Sequence, residues 1–261
     1  MYVSKDECKP RIDWFVANQG PLLRGCLDIN KPWLDLTADD FLLMFRTLSN
    51  LTDPTTGNPL DALSIYFAVY GSVTDPDTPG GFENRFTYIF SGGIQTGDSD
   101  GVPTASDSGF YYNVVPGNGF SSNGSSISEA IMQRWTANWK RFLRNLPVDT
   151  ANKDNRNKNG EFTDTVSVTY LWKDLVEMVA EIGCQGTAGV RIRLVSYPGG
   201  AARFEKRLTT HFILLDGAQQ EIDSNPDNCR QSQEMRNALL LDGTGSGLDT
   251  GSPCPPAGNC P

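Results

Sequence analysis

The feature that most constrains the fold of this chain is a set of short segments that recur in the same order in both halves. Each segment in the second half lies 120 to 134 positions after its counterpart. An ordered series of matches at nearly constant spacing is typical of an internal duplication, although each match alone is weak. The paired segments are 4–7 with 126–129, 17–18 with 137–138, 23–24 with 143–144, 40–44 with 174–178, 65–70 with 192–197, and 85–87 with 207–209.

The duplication predicts an α+β chain of two tandem related units, each with two helices and an antiparallel β-hairpin, arranged with pseudo-two-fold symmetry. We expect the first unit over residues 1–92 and the second over 127–241. Between them, 93–126 is rich in Gly, Ser and Asn, which predicts a linker or a projecting arm. Residues 242–261 carry few apolar side chains and predict a flexible tail that contains Cys and Pro.

Periodic apolar residues locate the helices. The clearest helix is predicted at 127–144, where a capping box of the form S-x-x-E at 126–129 precedes large side chains at helical spacing. Other helices are predicted at 38–48, behind Thr37 as N-cap, and at 171–182, with a short one near 227–240. The large side chains of the helix predicted at 127–144 are Ile127, Ile131, Trp135, Trp139 and Phe142.

Apolar patterning with period two predicts strands at 63–70, 85–90, 189–197 and 208–215. The strand at 63–70 is apolar or aromatic on both faces, so we expect it to be central in its sheet. An aromatic run that includes Tyr111 and Tyr112 predicts an added edge strand. We also expect this run to be exposed, in which case it could stack on a sugar or a protein partner.

Charge and composition exclude several classes of protein. The net charge is −9, from 22 basic and 31 acidic side chains, and the pI near 4.6 argues against a general nucleic-acid-binding protein. No apolar run approaches the length of a membrane span, and the first residues do not resemble a signal peptide. We therefore expect no membrane span and a cytoplasmic protein by default, or one exported without a classical signal.

The six cysteines lack the paired spacing of zinc sites. Free thiols are favoured in a chain without a signal peptide. Cys254 and Cys260 could bridge each other in the tail, or one of them could pair with Cys229 or Cys184. A metal site built from these four cysteines is less favoured.

No catalytic motif stands out, and we expect neither an enzyme nor a cofactor. A Cys–His hydrolase would depend on His211, the only histidine, and a lone histidine on a strand is more often packed than catalytic. Asn155, Asn157, Asn159 and Gly160 follow the spacing of a calcium loop. The twelfth position of that loop is Val166 instead of Glu, so a solvated turn is favoured.

The two predicted hairpins differ in charge. Residues 191–207 hold five basic side chains and one acidic side chain, whereas 64–85 hold three acidic side chains and one basic side chain. Charge runs are usually solvated surface, but opposite faces could also join copies of the chain into a ring or filament. The basic side chains are Arg191, Arg193, Arg203, Lys206 and Arg207.

These observations favour a non-enzymatic structural protein that self-assembles as a homo-oligomer through its acidic and basic hairpin faces. The arm at 93–126 and the cysteine tail could act as clasps in such an assembly. The alternative is a binding module that captures an anionic ligand or protein partner on the basic hairpin, with Tyr111 and Tyr112 as further contact residues.

The second unit resembles a small uncharacterised protein family of Bacteroidota. The matching features are Ile-Gly-Cys at 182–184, the strand sequence at 189–193, Leu-Leu-Asp-Gly at 214–217, and Cys-Pro-Pro at 254–256 followed by Cys260. They cover about the last third of the chain, which departs from the family in an insertion at 185–188 and in its upstream copy of the unit. The resemblance implies an architecture and a bacterial origin, but no activity.

Overall fold

The computed structural model describes residues 5–26, 31, 33–98, 103–146, 165–182, 187–198 and 207–222. Several sequence predictions fall outside these ranges. They are the helix near 227–240, the tail 242–261, the calcium-like loop 155–160, and the side chains of Arg203, Lys206, Cys184, Cys229, Cys254 and Cys260.

The predicted α+β class is confirmed, since the described residues form helices together with antiparallel sheets. The helices are α1 (Lys5–Trp14), α2 (Ala38–Ser49), α3 (Glu129–Arg144) and α4 (Trp172–Ile182), and α1 continues into a π-helical turn at Phe15–Gln19. The strands are β1 (Trp33–Thr37), β2 (Ala62–Val69), β3 (Phe86–Gly93), β4 (Gln95–Asp98), β5 (Pro103–Ala105), β6 (Tyr111–Asn113), β7 (Ser126–Ile127), β8 (Ser167–Leu171), β9 (Gly189–Ser196) and β10 (Leu208–Leu215).

The larger sheet has five strands in the order β7-β6-β3-β2-β8. β2 pairs with β3 on one side and β8 on the other, which confirms that the strand near 63–70 is central. Almost no part of β2 is exposed, because its side chains point into the core and α3 packs on it. Segment 93–126, expected to be a linker or arm, supplies β4 to β7, and two of those strands extend this sheet.

The smaller sheet has three strands in the order β1-β9-β10, and β4 and β5 form a separate two-stranded ribbon. β1 precedes the first predicted hairpin, yet it pairs with β9 of the second hairpin. β8 precedes the second hairpin and pairs with β2 of the first. The strand in front of each hairpin is therefore exchanged between the two halves of the chain.

β1 and β9 approach each other closely at Gly189, where β9 begins opposite Thr37. A Cβ atom at this position would lie 2.7 Å from the carbonyl oxygen of Leu36. Glycine is required here because any side chain would force the two paired strands apart.

One large hydrophobic core joins the two sheets to α2 and α4. α3 packs on β2, and its Trp139 is fully buried against Phe67 and Phe86, with ring centroids 6.1 Å and 5.3 Å away. α1 packs in a comparable way on β9 of the smaller sheet. The tryptophan stripe of α3 thus serves packing, as helical spacing of aromatic residues usually does.

The predicted capping box at 126–129 is wrong. The N-cap of α3 is Ser128, whose hydroxyl accepts a hydrogen bond from the Ile131 backbone N–H at 3.3 Å. Ser126 instead lies in β7, whose pairing with Tyr112 gives its backbone an extended conformation. Thr37 caps α2 as predicted and accepts a bond from the Asp40 N–H at 3.0 Å.

Candidate functional site

A pocket of about 270 Å³ lies where the starts of β1 and β3 and the end of β6 come together. The backbone N–H of Phe86 donates to the carbonyl oxygen of Cys26 at 2.7 Å, which fixes the chain before β1 beside β3. The pocket is lined by Cys26, Lys31, Trp33, Leu34, Gly81, Phe82, Arg85, Phe86, Thr87, Tyr88, Val114 and Pro116.

Aromatic side chains form much of the pocket wall. Phe86 and Tyr88 alternate inward along β3, and their ring centroids are 5.0 Å apart in an edge-to-face arrangement. Trp139 braces Phe86 from behind. The wall is therefore held rigidly by core packing, which is the usual construction of a preformed ligand site.

Two cations, Lys31 and Arg85, stand at this pocket, and both are exposed. Among the described residues, neither forms an ion pair with a carboxylate. Twelve described residues line the pocket, and none of them has an acidic side chain. The pocket therefore combines apolar walls with positive charge in a chain whose net charge is −9.

Cys26 contributes an apolar surface instead of a nucleophile. Its thiol is 2% exposed and points to the Leu23 carbonyl oxygen at 3.7 Å. Burial raises the pKa of this thiol to about 12, so it stays protonated at physiological pH.

The two predicted binding residues of β9 are engaged within the chain. Arg191 donates to both carboxylate oxygens of Asp35, at 2.7 and 3.1 Å, and Arg193 donates to Glu221 at 3.1 Å. Both guanidinium groups also lie over the ring of Trp33, 4.5 and 5.3 Å from its centroid. An external anion at either arginine would have to compete with these carboxylates.

The acidic hairpin is engaged in the same way. Arg134 of α3 contacts Asp75 at 3.0 Å and Asp77 at 2.5 Å. The indole N–H of Trp135 also donates to Asp75 at 3.1 Å. These bonds dock the loop after β2 onto α3, so neither carboxylate is available without breaking a contact inside the chain.

The expected exposure of the aromatic run at Tyr111 and Tyr112 is wrong, since these residues are only 3% and 7% exposed. β6 is not an edge strand, because β7 pairs with its outer side. Tyr111 packs in the cluster under α3, and Tyr112 packs against Phe120 with ring centroids 5.6 Å apart. Neither ring is presented to a partner.

Of the remaining predicted binding residues, only Arg207 is described, immediately before β10. Its backbone carbonyl accepts a hydrogen bond from the Tyr197 N–H at 3.1 Å, closing the second hairpin. Arg207 is not among the residues that line the pocket.

A buried cluster on the outer face of the smaller sheet is not predicted from the sequence. His211 lies beside Arg193 in the strand register, and its Nδ1 is 3.1 Å from Cys8 Sγ of α1. Its Nε2 is 3.0 Å from the Arg11 guanidinium. The two partners on α1 lie about 200 positions from His211 in the chain, so no local motif signals them.

The tautomer of His211 follows from Arg11. A guanidinium only donates hydrogen bonds, so Nε2 must be the unprotonated acceptor and Nδ1 carries the proton toward Cys8. Burial first, and then the charge of Arg11, lower the pKa of His211 to about 3. The imidazole therefore cannot take a proton from Cys8, which removes the basis of a Cys–His hydrolase at this pair.

Comparison of the chain with protein-family models, curated proteins and solved structures finds no match. The resemblance of the second unit to a Bacteroidota family thus stays a prediction.

Two further observations concern the described part of the chain. No group of three or more His, Cys, Asp or Glu side chains comes together there as a set of metal ligands. None of the helices described has the combination of length and apolar character that a membrane span requires.

Proposed function

We propose that this chain is a non-catalytic binding module that holds a small anion with an aromatic body in the pocket between β1 and β3. The observation that carries the proposal is the pairing of a rigid aromatic wall with Lys31 and Arg85, with no acidic side chain among the described residues that line the pocket. A flat ring would pack on the wall, and its carboxylate would lie at the two cations.

The volume sets the size of the ligand. Small-molecule sites usually measure about 300–1,000 Å³, so a pocket of about 270 Å³ suits a ligand at the small end of that range. A two-ring carboxylate such as 2-naphthoate, with about 13 non-hydrogen atoms, is an appropriate probe. At an ordinary ligand efficiency its dissociation constant would be about 1 mM or lower.

The internal duplication belongs to the same proposal, in the form of two α+β units that exchange the strand before each hairpin. The strand registers support it. Moving β2 by 127 positions and β3 by 122 positions reproduces the pairing of β9 with β10 residue for residue. Moving β1 by 134 positions gives β8, and the same shift relates the starts of α2 and α4.

The proposed equivalence also accounts for the position of the pocket. Lys31 and Phe86 correspond to Thr165 and Leu208 in the second half, where the Thr165 hydroxyl donates to the Leu208 carbonyl at 2.6 Å. The next corresponding contact is made by the Tyr170 hydroxyl, which donates to the Thr210 carbonyl at 2.6 Å. In the second half these two bonds cross the space that corresponds to the open pocket beside Lys31 in the first half.

Self-assembly through the charged hairpin faces stays a second prediction. Four of the hairpin charges, on Asp75, Asp77, Arg191 and Arg193, already form ion pairs inside the chain. Light scattering over a series of salt concentrations tests it. A mass above one chain at low salt that falls with added salt would support it, and a constant monomer would contradict it.

The binding proposal is tested by a ligand-observed NMR titration of the chain with 2-naphthoate and with its neutral isostere 2-naphthamide. Naphthoate is expected to bind more tightly, because only the carboxylate can pair with the cations. Arg85→Gln and Lys31→Gln should each weaken naphthoate about three- to fivefold, the value of one solvent-exposed ion pair.

Two exposed cations away from the pocket provide matched controls, Arg46→Gln for the arginine and Lys140→Gln for the lysine. Neither should change the affinity for naphthoate. Equal affinities for the acid and the amide, or equal losses in the control variants, would contradict the proposed site.

A further inference from the structure

The edge of β3 that faces away from β2 is only partly covered. The Tyr70 N–H donates to the Arg85 carbonyl oxygen at 2.9 Å, and from this bond onward alternate residues of β3 bond to β2. The residues between them, Phe86, Tyr88 and Phe90, direct their N–H and C=O groups to the opposite edge. β6 pairs with that edge only at 89–91, so no described strand covers the main chain at 86–88.

Two main-chain groups of this uncovered stretch lack a partner among the residues that the structure describes. The Phe86 N–H donates to the Cys26 carbonyl at 2.7 Å, and the Tyr88 carbonyl accepts from the Asn113 side-chain amide at 2.9 Å. The Phe86 carbonyl and the Tyr88 N–H remain. Tyr88 is only 3% exposed, and buried backbone N–H groups are nearly always paired in folded proteins. This acceptor and this donor therefore point to a ligand.

The uncovered stretch lies at the pocket. Phe86, Thr87 and Tyr88 line the pocket, and so do Cys26 and Val114, which lie toward the two ends of the stretch. The Thr87 hydroxyl donates to a tyrosine on the opposite face of the sheet. The main chain is therefore what this position presents to the pocket.

The spacing of the two unpaired groups fits one amino-acid residue. On an adjacent parallel strand, the N–H and the C=O of a single residue bond to two residues that lie two positions apart. A ligand residue beside Thr87 would thus donate its N–H to the Phe86 carbonyl and accept from the Tyr88 N–H. The accepting group can be a carboxylate, because its second oxygen stays available to Lys31 and Arg85.

From this arrangement we infer that the ligand of the pocket is an N-acylated aromatic amino acid, which is also the chemistry of the last residue of a peptide that ends in an aromatic side chain. The inference rests on the proposed function and adds an amide N–H to the aromatic anion. The ring packs on the aromatic wall, the carboxylate lies between the Tyr88 N–H and the two cations, and the amide N–H donates to the Phe86 carbonyl.

The acyl group distinguishes this ligand from a free amino acid. A free amino acid carries an ammonium group, which would lie near Lys31 and Arg85, and none of the described lining residues has an acidic side chain to offset the repulsion. Acylation removes that charge and keeps the N–H donor. The pocket should therefore bind phenylalanine more weakly than its N-acetyl derivative.

The test is a ligand-observed NMR titration of the full chain with N-acetylphenylalanine and with 2-acetoxy-3-phenylpropanoate. In the second compound an ester oxygen replaces the amide N–H, while the ring, the carboxylate and the overall shape are kept. The amide is expected to bind about three- to tenfold more tightly, the value of one hydrogen bond. Equal affinities, or tighter binding of the ester, would overturn the inference.

2-Naphthoate separates failure of the inference from failure of the proposed function. If naphthoate binds and Arg85→Gln weakens its binding, while the amide and the ester bind equally, only the inference is wrong. If neither naphthoate nor N-acetylphenylalanine binds, both are wrong.

The tripeptide glycylglycylphenylalanine distinguishes the two sources of this chemistry, because its acyl group continues as a peptide chain that must leave the pocket. An affinity equal to or above that of N-acetylphenylalanine would support the end of a peptide as the ligand. A lower affinity, with N-acetylphenylalanine still bound, would support a small N-acyl amino acid.

The backbone amide signals of a ¹⁵N-labelled chain test the contact directly. N-acetylphenylalanine should shift the Tyr88 amide proton signal to saturation, because its carboxylate accepts from that N–H. Phe90 provides a matched control, since its N–H lies on the same edge of β3 but is paired with β6 at Tyr112. A Tyr88 signal that stays in place at saturation, or that moves no more than that of Phe90, would overturn the inference.

Discussion

At the residue scale, His211 accepts a hydrogen bond from Arg11 and donates one toward Cys8. The sequence identifies His211 as a lone strand histidine that is more often packed than catalytic, and its burial agrees with that interpretation. The sequence could not identify its partners, because they come from the other end of the chain. The same limit applies to the pocket, whose residues come from several separate segments and form no motif.

The depressed pKa of His211 predicts a stability that depends on pH. Its pKa is about 3 in the folded chain against 6.5 for an ordinary histidine, so the unfolded chain binds one more proton between these values. The stabilisation is complete above pH 6.5 and is lost as the pH falls. Urea unfolding should show the free energy of unfolding decreasing by about 2 kcal/mol from pH 7 to pH 5.

The control for this effect is His211→Gln, which does not titrate and should give a flatter profile over the same range. The carboxylates with lowered pKa values, Asp53 and Asp75, titrate below this window. Parallel profiles for the two chains would contradict the assignment of the pH dependence to His211.

At the element scale, local patterns predict helices and strands well. The predicted strands at 63–70 and 208–215 match β2 and β10 to within one residue, because alternation of apolar residues is a local signal. The predicted start of α3 is two residues too early, because two serines offer caps. The glutamate three positions after Ser126 favours that serine in the sequence, whereas pairing with β6 holds Ser126 in β7.

The corrected N-cap gives a direct comparison between these serines. Ser128→Ala removes the acceptor for the Ile131 N–H and should lower the free energy of unfolding by about 1 kcal/mol. Ser126→Ala removes no bond of the helix and should change it by less than about 0.5 kcal/mol. Chemical denaturation measures both, and a larger loss for Ser126→Ala would indicate that Ser126 caps the helix.

At the scale of the whole molecule, pattern alone could not predict the exchange of β1 and β8. Either hairpin offers an edge with the same apolar alternation, so the choice of partner depends on tertiary packing, including the close approach at Gly189. The order of helices and strands around each hairpin is largely predicted by local sequence patterns, but the way in which the elements of the two halves combine is not.

The exchange predicts that neither half folds alone. A fragment of residues 1–92 lacks β9, the partner of β1, and lacks β8 beside β2. We expect this fragment and its complement, 93–261, to show no cooperative thermal transition by circular dichroism when separate, and to regain one when mixed. Cooperative unfolding of 1–92 alone, at the midpoint of the intact chain, would contradict the exchanged arrangement.

Binding of an aromatic anion in the proposed pocket can be followed directly at Trp33. The chain contains five tryptophans, and only Trp33 lines the pocket, so the indole N–H signals of a ¹⁵N-labelled chain report the site and its controls together. Titration with 2-naphthoate should shift the Trp33 signal to saturation and leave those of Trp14, Trp135, Trp139 and Trp172 in place. An unmoved Trp33 signal, or an equal shift of all five signals, would contradict binding at this pocket.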